Sequence, residues 1–375
     1  SDEPGHHRFV HDSIRELSLR NVDADVLQQI HQRVGEALDR RGSGSYEETC
    51  AVAWHYASGQ LERSPLRVHQ VARAAGAGAL ERFDNDAALR FFELARRAAK
   101  LGGATLPWDF ELEVGEAHLR LGSLEESHRA FDTALRSARD RRARAVVLGR
   151  IAWAYQVASD PEGAWKTLQL AFEAIDARLP VEGPDSDGDT LVRTARWGIN
   201  RFRGQDPGPI DDATLLSRLN YQNARLGFEH GRPLRALQST LHALELAQHL
   251  GPSSELARGT ALLGFFRTVA MRDSAGGRSS LDRAASMAET LGDPVTVAFA
   301  FQLRALAACF AGDFDEALRA LELYLGNQGH WVELTEYCLS AANADMIEGL
   351  RGKPLAAHAW VQRATDRVRR SDQMP

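Results

Sequence analysis

Apolar residues in this chain fall three and four positions apart, as in Leu89, Phe92, Ala95 and Ala99, or Leu318, Leu321 and Leu325. That spacing lines one face of an α-helix. Alternating runs that would mark strands are almost absent, and Ala, Leu, Arg and Glu, all good helix formers, dominate. The pattern predicts about seventeen helices of roughly 12–20 residues, broken at Gly, Asp and Pro. The predicted fold class is therefore all-α.

The breaks themselves repeat. FDNDAALRFFELA (83–95), GSLEESHRAFDTA (122–134), SDPEGAWKTLQLA (159–171) and GRPLRALQSTLHA (231–243) share one plan with AGGRSSLDRAASM (275–287), GDFDEALRALELY (312–324) and GKPLAAHAWVQRA (352–364). Each is a turn, then a small residue, then a large apolar one four places on. The small residues are Ala88, Ser127, Ala164, Ala236, Ser280, Ala317 and Ala357, separated by 39, 37, 72, 44, 37 and 40 positions. The 72 is nearly two periods and implies a weak, insertion-bearing unit between. A small residue lets the next helix pack close, and stacked helix pairs bury a core that no single pair could. The helix before each turn has its own small residues, among them Gly115, Ala152 and Ala305.

This pattern resembles tetratricopeptide repeats, with FQLRALAACFAGDFDEALRALELY (301–324) the nearest match. The units are longer than that family's and several lack its aromatic and proline positions, so the expectation is an α-solenoid of degenerate tetratricopeptide-like helix pairs over roughly residues 65–370. Two Gly/Pro/Asp-rich stretches, LPVEGPDSDGDT (179–190) and GQDPGPID (204–211), interrupt it. They flank a predicted helix, 190–203, carrying Trp197 and Phe202, which either lines a binding surface or bridges two halves of the array.

Composition narrows the function classes. A net charge of −6 argues against a nucleic-acid platform. No apolar run approaches the ~18 residues a membrane span needs. Cys50, Cys309 and Cys338 are odd in number and far apart, which suits reduced, buried thiols in a cytoplasmic protein rather than a disulfide framework.

The motifs that would carry chemistry fail on inspection. DSDGD (185–189) starts like a calcium loop, but Thr190 and Arg196 stand where Gly and Glu are required. An all-helical enzyme using Asp185, Asp187 and Asp189 is the rival this leaves weakest. GLRGKPL (349–355) lacks the spacing and the Ser/Thr of a phosphate loop. His6-His7 has no further ligands at a metal-binding spacing. The Arg-rich ARDRRAR (138–144) and RATDRVRR (363–370) are mixed with Asp and read as solvated faces. Trp54-His55-Tyr56 is expected in the core. Trp153, Tyr155 and Trp165 either pack together or, for Trp153 and Tyr155, face a ligand groove along with Trp197 and Phe202.

The N-terminal segment adds a second resemblance. RFVHDSIREL (8–17) precedes the amphipathic DADVLQQIHQRVGEALDRR (23–41). Phe9, His11, Asp12, Ile14, Arg15 and Glu16, then His31, Val34, Ala37 and Leu38, resemble the end of the nucleotide-binding module in bacterial signal-transducing ATPases with numerous domains. In these a winged helix with a His-Asp motif leads into a helical-repeat sensor, and the ATPase is fused to adenylyl cyclases, serine/threonine kinases or transcription regulators. The resemblance implies that His11 reaches the phosphates of a bound nucleotide and that Asp12 caps the helix that carries it. Val10 stands where many members have Met. ATP or ADP would be the cofactor of a longer parent; this chain has no phosphate-binding loop and no cofactor of its own is expected.

The implied organisation is residues 1–43, a winged-helix remnant; 44–178, a first repeat block; 179–210, the insertion; and 211–375, a second block. The implied function is a non-catalytic regulatory sensor. It would bind a protein, a peptide or a small inducer on a superhelical groove, as a monomer or an oligomer, without contacting nucleic acid or membrane. A free-standing tetratricopeptide-like scaffold with no ATPase partner is the alternative.

Overall fold

The computed structural model describes residues 22–42, 44–179 and 212–372. Among these residues there is no strand. They form two compact units, one up to Leu106 and one from Pro107 onward.

Unit 1 holds α1 (Ala24–Arg41), α2 (Tyr46–Ala57), α3 (Pro65–Glu81) and α4 (Asn85–Leu101). Helix α1 packs on α2 and α3 on α4, with α2 against α3. Helix α1 is thus the first helix of a pair with α2. Ser45 and Glu48 start α2 with a reciprocal capping box.

Unit 2 holds α5 (Trp108–Arg120), α6 (Leu124–Ser137), α7 (Arg141–Val157), α8 (Pro161–Ala174), α9 (Ala213–Glu229) and α10 (Pro233–Gln248). It continues with α11 (Ser254–Val269), α12 (Ser274–Thr290), α13 (Pro294–Ala311), α14 (Phe314–Glu322), α15 (Leu334–Leu350) and α16 (Pro354–Asp372). Helix α14 is only nine residues long and ends in a π-turn, Leu323–Asn327. Each odd-numbered helix packs on the even-numbered one that follows it, and α5 on α7, α7 on α9, α9 on α11 and α11 on α13 join the first helices of successive pairs.

The turns inside the seven pairs from α3 onward follow one rule. A residue in the left-handed region ends the first helix and a polar residue follows it. The left-handed position is Phe83, Gly122, Ser159, Gly231, Arg272, Gly312 and Gly352 in turn. Glycine enters this region without cost; Ser159 and Arg272 do not. Asp84, Asp160, Asp273 and Asp313 then cap the second helix, accepting from the backbone N–H of Ala87, Gly163, Gly276 and Glu316.

All seven repeat-marking small residues, Ala88 to Ala357, are buried at the crossing of a pair. Gly115 shows why they must be small. A Cβ there would lie 2.5 Å from the Phe131 ring on α6.

Two expectations need correction. Helix α13 has eighteen residues and a mean hydropathy of 1.5, so it is long and apolar enough to cross a membrane by length and composition. In the fold it is a core helix, packed on α11, α12 and α14, with Arg304 paired to Glu316 and Asp282. The cysteines are half-buried rather than fully enclosed, although burial still pushes all three thiols up.

Candidate functional site

The first helices of unit 2 share a polar stripe. On α9 it is Tyr221, Arg225 and Glu229, at every fourth position; on α7 it is Arg150, Trp153 and Gln156; on α5 it is Glu116 and Arg120. The start of α15 comes back to meet it. Trp153 Nε1 donates to Glu333 Oε2 at 3.3 Å, and Arg225 Nη2 donates to Glu336 Oε1 at 2.6 Å. The same guanidinium lies over the Trp153 ring, 4.5 Å from its centre, and reaches Glu229 at 3.3 Å. Gln156 donates to the other Glu229 oxygen at 2.6 Å. Glu116 joins Arg120 at 2.9 Å and also pairs with Arg150. Tyr221 meets Phe299 of α13 edge-on, with ring centres 5.3 Å apart.

These groups are enclosed but not dry. The side chains of Glu116, Arg225 and Glu336 keep 15%, 16% and 18% of their exposure, so the cluster is largely enclosed with some reach to solvent.

The electrostatics follow from that enclosure. Burial would push the Glu116 carboxyl up, but Arg150 and Arg120 outweigh it and leave it below its ordinary value. Burial opposes the charge on Arg225, yet Glu336, Tyr221 and Glu229 hold it firmly protonated. Glu333 goes the other way. Burial, then the nearby charges of Glu336 and Glu116, push it up to about 7, against a weaker pull from Arg150 and Arg120. Burial also raises the Tyr221 and Tyr324 hydroxyls.

The whole fold has counterparts among solved structures. The apo form of the quorum sensor NprR from B. thuringiensis matches at a TM-score of 0.53 with 11% identity, over 95% of this chain and 91% of that one. A Rap protein complexed with Competence and Sporulation Factor matches at 0.56 with 11% identity, over 96% and 97%. The fold is a tetratricopeptide-like α-solenoid. A signal transduction ATPase with numerous domains and a tetratricopeptide repeat sensor, from Pyrococcus horikoshii, matches more loosely, at 0.48 with 14% identity, over 95% of this chain and 49% of that one. No protein-family model matches the chain, and no curated protein matches it in sequence.

Of the residues singled out from sequence, the structure separates Trp153 from Tyr155. Trp153 is buried at the polar cluster, against Arg225 and Glu333. Tyr155, two positions on, lies against His128 of α6, with ring centres 5.0 Å apart. Trp165 does not join them; it lies against His230 and Arg235. In unit 1, Tyr56 is buried as expected but Trp54 is 55% exposed, edge-on to His31 and His55. Helix α2 buries only one face, and Trp54 is off it. His11, Asp12, Trp197 and Phe202 lie outside the described residues.

Glu333, Glu336, Arg225 and Arg150 were not singled out from sequence. For Arg225 a signal existed: polar and aromatic residues at fourth positions of a helix that must otherwise be apolar. For Glu333 there was none, since its partner is 180 positions away.

Proposed function

We propose that unit 2 is the recognition module of a regulatory sensor, binding an extended peptide or protein segment along the polar groove of its first helices. One observation carries this reading. Arg225 and Glu336, which keep 16% and 18% of their exposure, meet Glu333 and the buried Trp153 from three helices distant in sequence in one polar cluster, whereas the core between helices α9 to α13 is apolar. A peptide needs such donors and acceptors, because each of its own amides must be satisfied when desolvated. The likeness in fold to a quorum sensor and to a Rap protein solved with its factor supports the choice of a signalling ligand.

An occupied groove would alter how the start of α15 rests on α7 and α9, and so pass the event along the array. The output it would control is the attached ATPase, with its cyclase, kinase or transcriptional partner, that the His11-Asp12 segment implies. A phosphate-binding loop encoded in frame upstream would support that arrangement.

The binding test uses two conservative variants on one helix. On an array of random hexapeptides, Trp153→Phe, which removes the indole donor that positions Glu333, should weaken binding about tenfold. Tyr155→Phe, which faces α6, should leave it unchanged. If the two variants behave alike, or no peptide binds, the groove is not the site.

A further inference from the structure

Unit 2 holds a cavity of about 460 Å³ between α10, α11 and α12, lined by none of the residues of the Trp153 cluster. Helices α10 and α12 are the second helices of successive pairs, and both pack on α11. The sequence leaves the space open. Helix α12 starts SAGGRSS and brings Ser279 and Ser280 to the wall, where larger side chains would fill it. Gly276 in the same turn makes room for Arg267 of α11. A Cβ there would run into the guanidinium, so the glycine lets Arg267 lie across the start of α12. In that place Arg267 donates twice to Asp273, at 3.0 and 2.5 Å, and reaches Ser280 at 3.4 Å.

The cavity has two kinds of wall. Leu244, Leu263 and Met287 supply an apolar side. Arg267, Arg283, Ser279 and the Gln248 amide supply a side on which every group can donate. No Asp or Glu lines the cavity, in a chain whose net charge is −6; Asp273 holds Arg267 from outside the lining. The side chains of Arg283, Ser279 and Gln248 have no hydrogen bond or ion pair with any described residue. Cations and unused donors on one side and hydrocarbon on the other suit a ligand divided in the same way.

We propose that this cavity binds a small amphipathic carboxylate, its head on Arg283 and Arg267 and its apolar body against Leu244, Leu263 and Met287. At about 30 Å³ for a heavy atom with its hydrogens, the share of one water molecule, the space holds roughly fifteen heavy atoms. That is the size of a small molecule. A carboxylate offers two oxygens to the fork of Arg283 and keeps lone pairs for Ser279 and Gln248. Because α10 belongs to one pair and α11 and α12 to the next, an occupant would hold successive pairs in one arrangement. The site goes beyond the peptide reading and does not rest on it.

Octanoate, octanamide and acetate test this on the full chain by titration calorimetry near neutral pH. Octanoate should bind with a Kd of about 1 mM or lower. Octanamide, of the same shape without the charge, should bind at least about fivefold more weakly, and acetate should not bind in that range. Arg283 is exposed and has no ion pair among the described residues to lose. Arg283→Gln should therefore leave the melting temperature unchanged while bringing octanoate down to the level of octanamide. Ser279→Phe, which fills the cavity from an exposed position, should abolish binding of both. Equal binding of octanoate and octanamide overturns the charged head, and acetate binding as tightly as octanoate overturns the apolar body. Octanoate binding that survives Ser279→Phe, or none at ten times the expected Kd, overturns the site itself. The effect of Trp153→Phe on peptides is read separately, so the two sites stand or fall apart.

Discussion

Ser159 and Arg272 hold left-handed backbone, at φ 60° and 54°, where four of the other turns place glycine. Both side chains are exposed, so neither is kept there by packing. Replacing each with glycine should raise stability by about 1 kcal/mol, the strain relieved less the extra freedom of the unfolded chain. Thermal or urea unfolding reads this directly; a loss in both variants would mean the side chains are held by something else. Gly115 gives the opposite result. Gly115→Ala should destabilise by about 1–3 kcal/mol, since the Phe131 ring must move to admit the new methyl. These positions were largely legible in the sequence. The seven small residues are conspicuous because helix-crossing geometry allows little else there. The left-handed residue was legible only where it was glycine; at Arg272 a side chain with no conformational signature occupies the same place.

At the scale of the element, Glu333 immediately precedes α15 as its N-cap residue, so the state of one carboxyl bears on how the helix starts. The folded carboxyl titrates near 7, above its ordinary 4.5. Its contribution to stability is therefore complete below about pH 4.5 and is lost as pH rises through 7. The wild-type chain should lose on the order of 2 kcal/mol from this group between pH 5 and 8, after allowing for the water that reaches the side chain. The measurement is the difference in unfolding free energy between wild type and Glu333→Gln across that range. A difference that does not change with pH would show that Glu333 is ionised throughout. None of this was legible in the sequence. The WVELTEYC stretch has the composition of any half-buried helix start, and its meaning depends on Trp153 and Arg225, which stand far away in the chain.

At the scale of the whole molecule, the periodicity foretold the helix pairs because each pair is a local solution to burying two apolar stripes. It did not foretell that the array meets itself within unit 2. The contacts of Trp153 with Glu333 and of Arg225 with Glu336 span 180 and 111 residues. In a plain repeat array each pair touches only its neighbours, and the ends can melt while the middle holds. Here the second and third pairs of the unit are tied to the sixth, so the row of repeats is a closed circuit. Unit 2 should therefore melt all at once, in one steep urea transition. Arg225→Gln combined with Glu336→Gln, which keeps the shape and removes the charge, should broaden that transition more than it shifts its midpoint. What looks from the sequence like a string of interchangeable parts would then gain or lose its order as one cooperative body.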